Sequence, residues 1–105
     1  MSDPELKHLD VGADGAARRI AILSRAGAAP GLFWLGGFRS EMTGSKASAL
    51  DAFGAANGLA VTRFDYSGHG QSGGDFLEGT ISRWLDEAAT VFTTTSGSQV
   101  VVGSS

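Results

Sequence analysis

The chain has 105 residues, of which 42% are apolar and 18% charged, with 16 Gly, 2 Pro and no Cys. These proportions are typical of a globular domain and exclude collagen-like, disulfide-rich and disordered chains. Eight Lys and Arg against eleven Asp and Glu give a formal charge of -3. No basic run could follow a phosphate backbone, so we expect no nucleic acid partner.

The sequence carries no sign of a membrane segment or of a targeting segment. No apolar run approaches the roughly 20 residues of a membrane span. Residues 1–12 lack both the apolar core of a secretory signal and the Arg-rich character of a transit peptide. We therefore expect a cytoplasmic protein. With His8 and His69 far apart and no Cys, we expect no zinc site and no cofactor.

Four strands are predicted in the first two thirds of the chain. Residues 6–11 and 18–24 form two strands at a sheet edge, because turn-forming glycines separate these runs and their flanks are polar. Residues 32–35 are apolar at every position, which indicates a strand buried on both faces. A fourth β-type run covers 59–65.

Two helices are predicted between these strands and the end of the chain. The first covers 45–57, with Leu50 and Phe53 on one face and Gly58 as its left-handed C-terminal residue. The second begins after the capping residue Thr80 and has Glu87 on its polar side. Its apolar positions recur at helical spacing: Ile81, Trp84, Leu85, Ala88 and Phe92.

A last, β-branched strand is predicted over 99–102. Alternation of apolar strands with helices predicts an α/β fold, a mostly parallel sheet with helices on both faces in three layers. Residues 1–105 are predicted to form one continuous piece of a domain. Because the last strand is apolar on both sides, we expect it to be central in the sheet, with a neighbour on each edge.

The candidate chemistry lies where the strands end, since ligands of open parallel sheets bind beyond the carboxyl ends of the strands. Gly103-x-Ser105 directly follows the last strand and makes up the first three residues of G-x-S-x-G, a sharp turn that exposes a nucleophilic serine. By itself this half motif is equally compatible with a polar tail. Phe38, after Gly36-Gly37, is the candidate donor of one oxyanion N–H, a role that its peptide and not its ring would fill.

The segments RFDYSGHGQSGG, LGGF and VVVGSS together resemble the α/β-hydrolase fold family. GGFRSEMTGSKASAL further resembles its acyl-protein thioesterase and esterase group, with mitochondrial and bacterial members. The likeness covers about residue 18 to the end. It implies a serine hydrolase acting on a small-molecule or acyl-protein substrate, with Ser105 as nucleophile, an oxyanion N–H from Phe38, and 65–73 as the loop after the fourth strand.

The same resemblance argues against a catalytic role for two tempting residues. In the family the acid and the histidine follow the serine in the chain, so neither Asp65 nor His69 is carried over as a triad member. His69 lies between two glycines, where it can hold the loop by hydrogen bonds. Asp65 is expected to bind backbone N–H groups of the same turn, and Arg63 to form an ion pair or anchor a loop.

A rival interpretation rests on Gly68-x-Gly70-x-x-Gly73, which satisfies the dinucleotide-binding pattern G-x-G-x-x-G. Two features disfavour it. The glycines do not open directly onto a helix, and the acids about 20 residues later, Asp86 and Glu87, fall within a helix and not at a strand end.

The sequence therefore predicts the N-terminal part of an α/β-hydrolase domain, inactive alone and dependent on a C-terminal remainder to complete its sheet and triad. On its own we expect it to associate through exposed strand edges. A dinucleotide-binding domain and a non-catalytic protein of the same fold remain the alternatives.

Overall fold

A computed structural model describes residues 3–12, 15, 17–37 and 39–103. Its elements follow the predicted order. The strands are β1 (Glu5–Val11), β2 (Arg18–Arg25), β3 (Ala28–Leu35), β4 (Leu59–Phe64) and β5 (Gln99–Gly103), and the helices are α1 (Ser45–Asn57) and α2 (Ile81–Phe92), with a 3-10 turn at Phe76–Glu78. Both helices are confirmed with their caps: Gly58 has φ 68°, and the Thr80 hydroxyl accepts from the Arg83 N–H. Strand β3 begins earlier than predicted, at Ala28.

The five strands form one sheet in the order β1-β2-β4-β3-β5. β1 pairs antiparallel with β2 and β2 antiparallel with β4, whereas β3 runs parallel to both β4 and β5. The α/β class is confirmed. The sheet is mixed: β1 and β2 follow each other closely in the chain and pair antiparallel, whereas the strands joined by helices, β3 with β4 and β4 with β5, run in the same direction. The crossover helices belong to the parallel half, which is where a ligand site is expected.

The two helices cover opposite faces of the sheet. Side chains alternate along β4, so that Val61 contacts α1 while Phe64 joins the cluster that α2 covers. That cluster is the main core and contains Val11, Ile20, Ile22, Phe33, Phe64, Ala88 and Val91. In the described ranges, neither helix is long and apolar enough to cross a membrane.

Helix α1 packs on the sheet through small and polar residues. Its buried positions are Ala47, Asp51 and Gly54. A Cβ at Gly54 would collide with the Val61 side chain, so helix and strand approach closely because this residue is glycine. The face expected from Leu50 and Phe53 is not the packed one, since the Phe53 side chain is 57% exposed.

Helix α2 buries only part of the predicted apolar stripe. Ala88 is buried as predicted, together with Glu87 and Val91, whereas Ile81 and Leu85 are 75% and 68% exposed. The placement of Glu87 on the solvent side is therefore wrong. Its carboxylate can be buried because Arg18 Nε (2.9 Å) and the Ser67 N–H (2.7 Å) both donate to it.

Strand β5 lies at an edge of the sheet and not at its centre. Of the described strands only β3 pairs with it, which leaves Val100 and Val101 48% and 50% exposed. The exposed edge agrees with the expectation of open strand edges in these 105 residues, and a second neighbouring strand from a C-terminal remainder stays a prediction.

Candidate active site

The carboxyl ends of β3 and β5 lie side by side in the sheet. The two strands are parallel and in register from Gly31 opposite Gln99 to Leu35 opposite Gly103. Neighbouring strands lie about 4.8 Å apart, so Leu35 and Gly103 end their strands at adjacent positions. The sequence predicted a site beyond the carboxyl ends of the strands, and the pairing of β3 with β5 and its register come from the structure.

The two residues singled out for catalysis, Phe38 and Ser105, lie outside the described residues. The structure describes Gly37 and Arg39 on either side of the first, and the chain up to Gly103 on the approach to the second. The site is therefore built from the surroundings of these positions.

A tight turn spans residues 37–40. The Gly37 carbonyl accepts from the Ser40 N–H at 3.1 Å and from the Ser40 hydroxyl at 2.6 Å. Arg39, the third residue of the turn, has φ 61°, in the left-handed region that side chains rarely adopt. The guanidinium of Arg39 lies 5.2 Å from the centre of the Phe76 ring.

Asp65, the first residue after β4, binds two loops at once. Its carboxylate is 2% exposed and accepts from the Met42 N–H at 2.7 Å and from the Gln71 N–H at 2.9 Å. Gly70 packs so closely on this carboxylate that a Cβ there would collide with it. The expectation that Asp65 binds backbone N–H groups is confirmed, and it extends to the loop after β3.

His69 is also a structural link between these loops. Its ring is 6% exposed, and Nε2 accepts from the Arg39 N–H at 3.1 Å while Nδ1 lies 3.0 Å from the Ser67 carbonyl oxygen. An N–H can only donate and a carbonyl can only accept, so the proton is on Nδ1. The expected hydrogen-bonding role of His69 is confirmed, and both ring nitrogens are occupied by it.

Arg63, on β4, holds the loop after β3 through its backbone at Met42. It donates to the Met42 carbonyl at 2.9 Å and lies 3.5 Å from the Asp51 carboxylate, as expected for an ion pair and loop anchor. Burial lowers the pKa of Arg63, and the nearby Asp51 charge opposes that shift. The pKa of Asp51 is lowered, chiefly by its hydrogen bonds from Arg25, so the carboxylate is ionised between the two guanidiniums.

An apolar groove of about 250 Å³ opens beside the start of the loop after β3. It is lined by Leu35, Gly36, Tyr66, His69, Ile81, Trp84, Leu85 and Ala88. Burial, with a smaller contribution from the Glu87 charge, raises the pKa of Tyr66, which keeps this wall neutral. The sequence did not indicate this groove, because Ile81 and Leu85 lie in an apolar stripe that is typical of a core-facing helix.

The dinucleotide pattern does not have the geometry that its ligand needs in the described residues. Gly73 leads to the 3-10 turn at Phe76–Glu78 and not to a helix N-terminus. Glu87 is buried against Arg18 and Ser67 instead of ending a strand. The described residues also contain no cluster of three or more His, Asp and Glu side chains able to hold a metal ion.

Solved structures with this arrangement of strands and helices are α/β hydrolases. A putative hydrolase from Agrobacterium vitis is 48% identical with a TM-score of 0.93, covering 99% of this chain and 41% of its own. Mouse alpha/beta hydrolase domain-containing protein 10 is 33% identical with a TM-score of 0.87, covering 96% of this chain and 40% of its own. No protein-family model matches the chain.

The chain belongs to the α/β-hydrolase fold family. Among curated proteins it is similar to the mitochondrial palmitoyl-protein thioesterase ABHD10. The human protein is 39% identical over 87 residues, and the bovine protein 39% identical over 80 residues. The alignments cover 82% and 75% of this chain and only 28% and 26% of those relatives, so the chain spans about a quarter of their length.

These relatives correct the expected location. They carry "mitochondrial" in their names, so the cytoplasmic expectation is wrong. It rested on residues 1–12 lacking an Arg-rich leader. A targeting segment is separate from the folded domain, and the composition of the domain therefore does not report where the protein resides.

Proposed function

We propose that this chain is the N-terminal part of a serine hydrolase that cleaves an ester or thioester through an acyl-enzyme. The observation that carries the proposal is the β3 to β5 register, with Leu35 opposite Gly103. This register supports the proposal because Phe38 follows Leu35 by three positions in the sequence and Ser105 follows Gly103 by two. The palmitoyl-protein thioesterase name of the curated relatives favours an acyl thioester as substrate.

In the proposed reaction the Ser105 hydroxyl oxygen attacks the acyl carbonyl carbon while a base takes its proton. The carbonyl oxygen becomes an oxyanion that the Phe38 N–H and a second backbone N–H stabilise. The bond to the thiol or alcohol then breaks, and the leaving group takes the proton. Water hydrolyses the acyl-enzyme by the same route and regenerates Ser105.

We assign the base and the acid to residues beyond these 105. The described geometry supports this, because both nitrogens of His69 and both oxygens of Asp65 are held by loop backbone. Without its base a serine hydroxyl is a weak nucleophile, so the 105-residue chain alone should have negligible activity.

Labelling with a fluorophosphonate tests the proposal in the full-length protein. We expect covalent labelling of the wild type, its loss in Ser105→Ala, and its retention in the matched control Ser104→Ala. A folded, unlabelled wild type would favour the non-catalytic alternative. Labelling that survives Ser105→Ala would show that another residue is the nucleophile.

A further inference from the structure

We propose that His69 is a positioning residue for the oxyanion hole, holding the turn at 37–40 through the backbone N–H of Arg39. This inference rests on the proposed function and names a residue that neither the fold nor the serine chemistry assigns. The contact that carries it joins Arg39 N to His69 Nε2 over 3.1 Å.

The Arg39 N–H belongs to the peptide bond between Phe38 and Arg39, the central peptide of the turn. Arg39 has a φ of 61°, in the left-handed region that residues with a side chain rarely adopt. An arginine gains nothing intrinsically from this conformation, so an external acceptor for its N–H is needed to favour it. His69 Nε2 supplies that acceptor.

The acceptor is itself held in place. Nδ1–H donates to the Ser67 carbonyl at 3.0 Å, which fixes the tautomer and leaves the lone pair on Nε2. The ring packs between aromatic side chains, 5.2 Å from Phe76 and 5.4 Å from Trp84 between ring centres. The loop after β4 therefore presents one oriented lone pair to the turn beside the proposed oxyanion donor.

Two other contacts hold the far side of the same loop. Asp65 accepts from the Met42 N–H and Arg63 donates to the Met42 carbonyl. The loop is thus anchored at position 42 independently of His69. Loss of the His69 contact should release the turn at 37–40 locally and leave the rest of the loop in place.

Three substitutions in the full-length protein separate positioning from packing. His69→Gln places an amide oxygen near the position of Nε2, His69→Asn reaches only toward the Ser67 carbonyl, and His69→Ala removes both contacts. We expect kcat to fall about 10- to 100-fold in His69→Asn and His69→Ala with KM changed less than about threefold, because misplacing a catalytic group by about 1 Å costs this much. His69→Gln should recover most of kcat.

A purely structural role would instead lower the melting temperature equally in His69→Gln and His69→Asn and leave kcat per folded molecule unchanged in both, which would overturn the inference. So would a His69→Gln variant as slow as His69→Ala. If His69→Gln does not fold, long-range ¹H–¹⁵N spectra of the wild type decide: a proton on Nδ1 supports the contact, and a proton on Nε2 refutes it. An inactive, unlabelled wild type would overturn the proposed function, and this inference with it, whereas a fully active His69→Ala would overturn only this inference.

Discussion

The carboxylate of Glu87 on α2 accepts a 2.7 Å hydrogen bond from the backbone N–H of Ser67, in the loop that carries His69. Its other oxygen accepts from Arg18 on β2. One fully buried side chain therefore connects the helix, the sheet and the loop that reaches the candidate site.

Glu87→Gln should destabilise the full-length protein by about 3 kcal/mol, because it removes the fully buried carboxylate charge from beside the Arg18 guanidinium, which is itself largely buried. The Gln can accept only one of the two bonds, and its NH₂ group would face the other donor. Chemical denaturation of the purified variant measures the loss. Asp86→Asn is the control: its carboxylate is 59% exposed and lies 3.5 Å from Arg18, so we expect less than about 1 kcal/mol. Equal losses in the two variants would contradict this account.

The Asp51 carboxylate makes stability depend on pH in the acid range. Its folded-state pKa is below the unfolded value, so the stabilisation is complete above the unfolded pKa of about 3.9 and is lost as pH falls through the folded pKa. Asp51→Asn should therefore be less stable than wild type at pH 6, and the difference in free energy of unfolding should shrink below about pH 4. Denaturation of both proteins between pH 6 and 3 measures it. A difference that stays constant with pH would refute the role of the charge.

Gly54→Ala tests the close approach of α1 to the sheet. Alanine gains about 1 kcal/mol of helix propensity over glycine, but overpacking a core costs about 1–3 kcal/mol. Since the new Cβ would collide with Val61, which is 1% exposed, we expect net destabilisation. Ala52→Gly, at an exposed position of α1, measures the propensity alone. A Gly54→Ala variant more stable than wild type would show that the helix shifts without cost.

Exposed β5 should promote association when the 105 residues are produced as a separate polypeptide, because an uncovered apolar edge strand pairs with other chains. Val100→Thr with Val101→Thr should raise the monomer fraction in sedimentation velocity, since threonine keeps the β-propensity and removes apolar surface. Leu77→Thr is the matched control, as Leu77 is 87% exposed but lies outside the sheet. Equal gains from both would indicate general surface hydrophobicity and not edge pairing.

Much of the fold could be predicted from local sequence patterns. The caps of both helices, the strands around the buried run at 32–35 and the position of the glycine loop were predicted from residues within a few positions of one another. The signals are local because capping, left-handed glycine and helical or strand periodicity depend on neighbouring residues. The resemblance that names the family rests on such local segments too.

Other features depended on contacts between distant parts of the chain. Glu87 looks like a surface residue until Arg18, 69 positions away, and Ser67 supply its partners. Similarly, His69 is a link to the Arg39 amide only because β3 and β4 pair and bring their loops together. Burial of a charge and the orientation of a peptide are decided by partners that the sequence alone does not place, so only the tertiary structure determined them.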